Sequence, residues 1–323
     1  MNPSIPSHPI SIHRYALRSK TSLNAGSTRC EHHGALIRVD GGYACIHPWP
    51  ELGDEDLDRT LALLASGKPT PLARRAWYCA QMDGAARRDA ISLFDGLVVP
   101  ESHATLTTDD AAVRSAVEAG FEIAKLKVGR HLAQEAAFIR EYAGQFPHLA
   151  WRLDFNGTQS PESVAVFLGT LGDEVRQKID FIEDAYLPNT SPWVDALAAY
   201  DIPVAVDREV EDVCGGYGIA VIKPARNIPE PLLARAAEEG KRVVFTSYMD
   251  HPLGQSFAAW EAAVARKSHG SLVSTCGLVT HGLFEPDAFT EALGKPEPSF
   301  HPAAGTGLGF DELLAALPWT PLK

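Results

Sequence analysis

Two rhythms of apolar and polar positions divide the chain near residue 95. Before that point, "GALIRV" (34–39), a "DGG" turn and "YACIHPW" (43–49) read as two short strands joined tightly. "GDEDLDRTLALLASG" (53–67) carries acids in its first turn and Gly67 at its end, which are the marks of a helix. "TPLARRAWYCAQMDGAARR" (70–88) predicts a second helix. Residues 1–95 are thus expected to form a small α+β capping domain.

Over residues 96–284 the pattern becomes a repeat of strand and helix. Strands are predicted at "GLVVPES" (96–102), "EIAKLKVG" (122–129), "LAWRLDFNG" (149–157), "IDFIEDAY" (179–186), "IPVAVDRE" (202–209), "IAVIKPA" (219–225), "RVVFTSY" (242–248) and "SLVSTCGL" (271–278). Amphipathic stretches such as "DDAAVRSAVEAG", "PESVAVFLGTLG" and "PEPLLARAAEEG" fill most gaps, while 210–218 is too short for a full helix. Eight strands alternating with helices predict an α/β fold, a (β/α) TIM-type barrel. The tail, 285–323 with the helix "FDELLAALPW", is expected to return to the capping domain.

Chemistry enters at the strand ends. In "KLKVGR", period two puts Lys125 and Lys127 on one face, ~7 Å apart, with Leu126 and Val128 on the other. The next predicted strands end in Asp154 and Asn156, in Glu183, in Asp207 and Glu209, and in Lys223. Lys-x-Lys alone is ordinarily a solvated strand face. Charges in register on five consecutive strand ends are different, because those ends form the active-site face of a barrel. Carboxylates on three adjacent strands are expected to converge on a hard divalent cation, Mg²⁺ by preference or Mn²⁺. A cation held in this way leaves positions for a carboxylate substrate. Asp207 follows directly on the apolar run "IPVAV" and is the expected third ligand; Glu209, ~7 Å further along, is expected behind it, holding a lysine or a water. Neighbouring positive charge and burial would lower Lys127 toward the range of a working base, and Lys223 would approach from the opposite side. His32, His33, His103 and His281 have no ligand spacing and read as structural.

Composition narrows the class further. A formal net charge of −12, with acids spread along the chain, argues against a nucleic-acid or anionic-membrane surface. No apolar run approaches the ~20 residues of a membrane span, and "MNPSIPSHPI" lacks a signal-peptide pattern. Five cysteines (Cys30, Cys45, Cys79, Cys214, Cys276), widely spaced and without C-x-x-C, exclude a disulfide framework or structural zinc and fit a cytoplasmic location.

With "AKLKVG", "RLDFNG", "FIEDA", "VAVDRE" and "VIKPA" in place, the chain resembles the enolase superfamily in its muconate-lactonizing-enzyme-like subgroup, and within it the o-succinylbenzoate synthases. The resemblance implies Asp154, Glu183 and Asp207 as metal ligands, Lys127 as the acid/base and Lys223 as the cation facing the enediolate. It implies that Lys125 tunes Lys127 and binds the substrate carboxylate. Candidate substrate contacts are Asn156, Thr246, Ser247, Gly277 and Leu278, with Trp49 of the cap as an apolar wall and the loops Thr21–Arg29 and His47–Glu51 closing over the mouth. The implied reaction is syn dehydration of 2-succinyl-6-hydroxy-2,4-cyclohexadiene-1-carboxylate to 2-succinylbenzoate, a step of menaquinone biosynthesis. N-acylamino acid racemase, dipeptide epimerase and muconate cycloisomerase activities share such a site, and a noncatalytic metal- or metabolite-binding barrel is the remaining alternative. The sequence departs from the family's pattern at "EDA" (183–185), at Arg208 and at "TSYMDHPLG" (246–254).

Overall fold

The computed structural model describes residues 9–23, 27–185, 197, 199–213 and 216–323. Part of the loop Thr21–Arg29, the end of the segment 179–186, Cys214 and the N-terminal stretch 1–8 therefore lie outside the described residues.

The cap is an antiparallel sheet in the order β11-β1-β2-β3, made of β1 (Ile10–Arg18), β2 (Glu31–Val39), β3 (Gly42–Ile46) and β11 (Thr320–Pro321). Two of these strands are the expected hairpin. The other two were not foreseen, although "ISIHRYALR" alternates and buries Ile12 and Leu17. Helices α1 (Leu57–Ala65) and α2 (Pro71–Arg88) form where predicted, with the side chains of Asp56 and Thr70 accepting from first-turn amides. The sheet can approach α2 closely because Gly42 has no side chain; a Cβ there would lie 1.9 Å from the Ala80 carbonyl oxygen.

The second sheet is parallel, ordered β10-β9-β8-β7-β6-β5-β4. Its strands are β4 (Ala104–Leu106), β5 (Ile123–Lys127), β6 (Ala150–Asp154), β7 (Ile179–Glu183), β8 (Val204–Val206), β9 (Ile219–Ile222) and β10 (Arg242–Phe245). Between them run α3 (Asp110–Glu118), α4 (Leu132–Gln145), α5 (Pro161–Leu171), α6 (Asp173–Arg176) and α7 (Pro229–Glu239), and α8 (Pro252–His269) follows. The curled sheet and the separate antiparallel cap make the expected modified barrel.

Two strand assignments need correction. The segment 96–102 is not a strand, and the first barrel strand begins at Ala104. Pro100 removes an amide that a ladder would need, and Val98 is 74% exposed, so the apolar run has no sheet to enter. The segment 271–278 is not continuous either. It begins as a 3₁₀ turn (Gly270–Leu272) and then bridges singly, Val273 and Gly277 to Val243 and Thr246 on one side and Cys276 to Ser102 on the other. The eighth position of the barrel is thereby closed by an irregular strap.

The tail returns to the cap, where β11 pairs with β1 and α10 (Asp311–Ala315), after α9 (Ala288–Ala292), brings Asp311 onto Arg87 of α2. Cap and barrel are further tied by Arg75 of α2, which binds Glu261 of α8 and donates to the Pro224 carbonyl at 2.9 Å. No helix among the described residues is long and apolar enough to cross a membrane. Cys30, Cys45, Cys79 and Cys276 are free thiols.

Candidate active site

Register sets the site. Lys127 pairs with Asp154, Asp154 with Glu183, and Glu183 with Ala205, so that Asp207 falls just beyond β8 and Lys223 just beyond β9. Buried apolar runs end at the same level of a parallel sheet, and the first polar residue after each run faces the mouth. Asp154, Glu183 and Asp207 are all nearly inaccessible.

The expectation is that these carboxylates share one divalent cation; in the structure each lies against a cation of the chain. Lys125 Nζ stands 2.6 and 2.7 Å from the two Glu183 oxygens and 3.0 Å from Asp154 Oδ2. Lys223 Nζ binds Asp207 Oδ2, and Arg226 donates to Asp207 Oδ1 at 3.0 Å. Among the described residues no three acidic, histidine or cysteine side chains are drawn together in ligand geometry. Buried carboxylates take the nearest counter-ions.

Burial opposes every one of these charges, and the neighbours decide the outcome. For Asp154 the ammoniums of Lys125 and Lys127, and for Asp207 those of Lys223 and the Arg226 guanidinium, outweigh burial and hold the carboxyl below its ordinary range. Burial wins at Glu183, whose carboxyl is pushed up even though Lys125 pulls the other way, with Asp154 and Asp207 adding to the rise. Lys125 goes above its ordinary value because Asp154 and Glu183 overcome its burial. Lys127 falls to about 8 through burial, with Lys125 and Lys223 reinforcing the fall against Asp154. A cavity of about 290 Å³ opens beside it, lined by Ser22, Leu23, Thr107, Arg130 and His131.

The three carboxylates suit a hard divalent cation, being all-oxygen donors on adjacent strands. All-oxygen donor sets of this kind are what such an ion takes.

Asp184 was missed in the sequence. It is 2% exposed, and its carboxylate accepts the Asp207 amide at 3.1 Å and the Arg208 amide at 3.1 Å. It thereby fixes the backbone that carries Asp207. Arg226 was missed too, although it lies only three residues beyond Lys223. Glu209 is exposed, with φ 55°, in the turn that follows Asp207.

Of the other expected contacts, Thr246 leaves its hydroxyl buried and unpaired among the described residues, and so does the Asn156 side-chain amide. Ser247 Oγ is 2.7 Å from Thr280 Oγ1, and Leu278 is fully buried. Gly277 abuts His103, whose ring would stand 2.6 Å from an added Cβ. Trp49 is 1% exposed, and its indole N–H donates to the Tyr248 carbonyl at 2.8 Å. The histidines read as structural find structural partners. His32 packs on Trp49, His33 faces Glu31, His103 lies 2.7 Å from Arg152, and His281 lies 3.3 Å from Gln255.

The architecture recurs in solved structures. A mandelate racemase/muconate lactonizing protein from Herpetosiphon aurantiacus superposes with a TM-score of 0.77 at 19% identity, covering 95% of this chain and 99% of that one. The L-Ala-D/L-Glu epimerase from Bacillus subtilis gives 0.75 at 17% identity, covering 93% of this chain and 97% of its own. This is the fold of the mandelate racemase and muconate-lactonizing branch of the enolase superfamily.

Sequence similarity goes further. Residues 10–86 match the N-terminal domain of o-succinylbenzoate synthase. The o-succinylbenzoate synthase of Bdellovibrio bacteriovorus is 31% identical over 329 residues, 97% of this chain and 98% of that protein. The chain belongs to the o-succinylbenzoate synthase family and is an enzyme, a hydro-lyase.

Proposed function

We propose that the chain catalyses the Mg²⁺-dependent syn dehydration of 2-succinyl-6-hydroxy-2,4-cyclohexadiene-1-carboxylate to 2-succinylbenzoate, in menaquinone biosynthesis and in the cytoplasm. The observation that carries this reading is the pair of lysines, Lys127 from β5 and Lys223 from beyond β9, set across three intervening strands with the buried carboxylates between them.

Asp154, Glu183 and Asp207 would hold the divalent ion, which supplies Lewis-acid stabilisation for charge developing on a substrate carboxylate. Lys127, kept partly neutral by its surroundings, takes the α-proton onto Nζ. The C–H electron pair moves into the carboxyl group, giving an enediolate whose charge Lys223 faces from the other side of the ring. The proton now on Lys127 passes to the leaving hydroxyl on the same face. The C–O bond breaks, water departs and the ring becomes aromatic. Lys125 bears on Lys127 through its charge, and in this proposal it also binds the substrate carboxylate.

A second reading rests on the same two lysines, because bases on opposite faces of an α-carbon also permit racemisation. Absorbance at the product's aromatic band, with Mg²⁺ and after exhaustive chelation, tests the proposal. Product should form only with the metal. Full turnover of the chelated enzyme, or no product under either condition, would contradict it.

A further inference from the structure

Tyr248 lies just beyond β10 in the segment "TSYMDHPLG", where the sequence departs from the family's pattern, and is 2% exposed. Two hydrogen bonds join it to the cap loop, and a third closes the loop on itself. Its carbonyl accepts the Trp49 indole N–H at 2.8 Å, its hydroxyl donates to Asp54 Oδ2 at 2.9 Å, and the same Asp54 oxygen accepts the Trp49 amide at 2.8 Å. A barrel tyrosine, a cap tryptophan and a cap aspartate thus form a closed loop of bonds across the cap–barrel boundary.

The ring of Tyr248 does something further. Lys223 Nζ and the Arg226 guanidinium each lie 5.7 Å from its centroid. Both cations also bind Asp207. An aromatic face attracts a cation within about 6 Å, more strongly where water is excluded. Asp54 keeps the ring in place, because the hydroxyl at its far end is bonded to a carboxylate, a bond roughly twice as strong as one between neutral groups. The hydroxyl stays protonated for the same reason. Burial, then the Asp54 charge, push it well above the usual phenol range.

We infer that Tyr248 is a positioning residue for the Lys223 ammonium, and that Asp54 and Trp49 of the cap set where its ring stands. This rests on the proposed role of Lys223 opposite the enediolate. The cap then contributes to the chemical step as well as to the pocket. A ring shifted by loss of the Asp54 bond leaves Lys223 less constrained where negative charge develops. That interaction is realised in the transition state, so its loss appears in kcat and leaves KM nearly unchanged.

The test is a kinetic cycle in the Mg²⁺-loaded enzyme, with the succinyl cyclohexadiene as substrate. Tyr248→Phe keeps the ring and removes the hydroxyl. Asp54→Ala, which removes the acceptor at a partly exposed position, is the companion should the first fail to fold. Each is expected to lower kcat about 10-fold with KM within about 3-fold, and the double variant should be no worse than the more damaging single, since both break the Tyr248–Asp54 bond. Unchanged kcat in both singles, a rise confined to KM, or losses that multiply in the double variant would each overturn the inference. Lys223→Ala separates the two levels of the argument. An inactive Lys223→Ala beside an unaffected Tyr248→Phe removes only the role of Tyr248, whereas a fully active Lys223→Ala removes the reading of the site as well.

Discussion

Lys125 holds both carboxylate oxygens of Glu183, at 2.6 and 2.7 Å, in a pair almost closed to solvent. A divalent ion bound by Glu183 must displace this ammonium or share the carboxylate with it. Removing one partner of a buried pair costs about 3–5 kcal/mol, so a stability loss is expected beside any effect on the proposed metal ligation. Glu183→Gln should abolish Mg²⁺-dependent turnover and raise the Mg²⁺ dissociation constant measured by calorimetry. Unchanged Mg²⁺ affinity in Glu183→Gln would remove this residue from the ligand set.

Asp207 lies just beyond β8, buried and held by Lys223 and Arg226, while Glu209 sits in the exposed turn that follows. Asp207→Asn should abolish metal-dependent activity, while Glu209→Gln should weaken it by about 10–100-fold, the range seen when a group behind a ligand is lost. A larger effect at Glu209 than at Asp207 would reverse the assignment.

Asp184 acts on Asp207 through the backbone, accepting the amides of residues 207 and 208. Asp184→Ala leaves both amides without this acceptor in a buried place, at about 1–3 kcal/mol each. Asp184→Asn keeps an acceptor oxygen. Alanine should therefore weaken Mg²⁺ binding about 10–100-fold, and asparagine should restore most of it. Equal losses in the two variants would mean that the charge of Asp184, and not its hydrogen bonding, matters.

A pH dependence of stability follows from the histidines under the cap. His47 is 1% exposed, stands 2.9 Å from the Tyr15 hydroxyl and packs beside Trp49. Burial, with His32 and His251 adding to it, lowers its pKa to about 3. The unfolded chain, with a histidine pKa of about 6.5, binds this proton first. The contribution of His47 is therefore full above about pH 6.5 and is lost as pH falls toward 3, at about 1.4 kcal/mol per unit. His47→Gln should flatten the fall in Tm between pH 6.5 and 5. An identical slope in wild type and variant would show that His47 is not the group being protonated.

Much of the site was legible because strand periodicity and burial act locally. An apolar run such as "IPVAV" fixes where a strand ends, and the acid that follows then falls at the barrel mouth, which is how Asp207 could be read. What escaped depends on partners far apart in the chain. The pairing of β1 with β11 joins Ile12 to Thr320, and nothing near either residue announces it. Trp49 reads as a pocket wall until Tyr248, 199 residues later, is seen to accept its N–H. The position of Lys125 between Asp154 and Glu183 is likewise a balance of charges on three strands. The false strand at 96–102 came from weighing Leu97, Val98 and Val99 above Pro100.

In the proposed mechanism Lys127 moves the proton, and the rate of 2-succinylbenzoate formation by Lys127→Ala beside wild type, both with saturating Mg²⁺, tests this. General acid–base catalysis contributes about 10²–10⁴-fold. The account predicts a loss of at least that size, with an unchanged circular dichroism spectrum. Retention of more than about a tenth of the wild-type rate would contradict it.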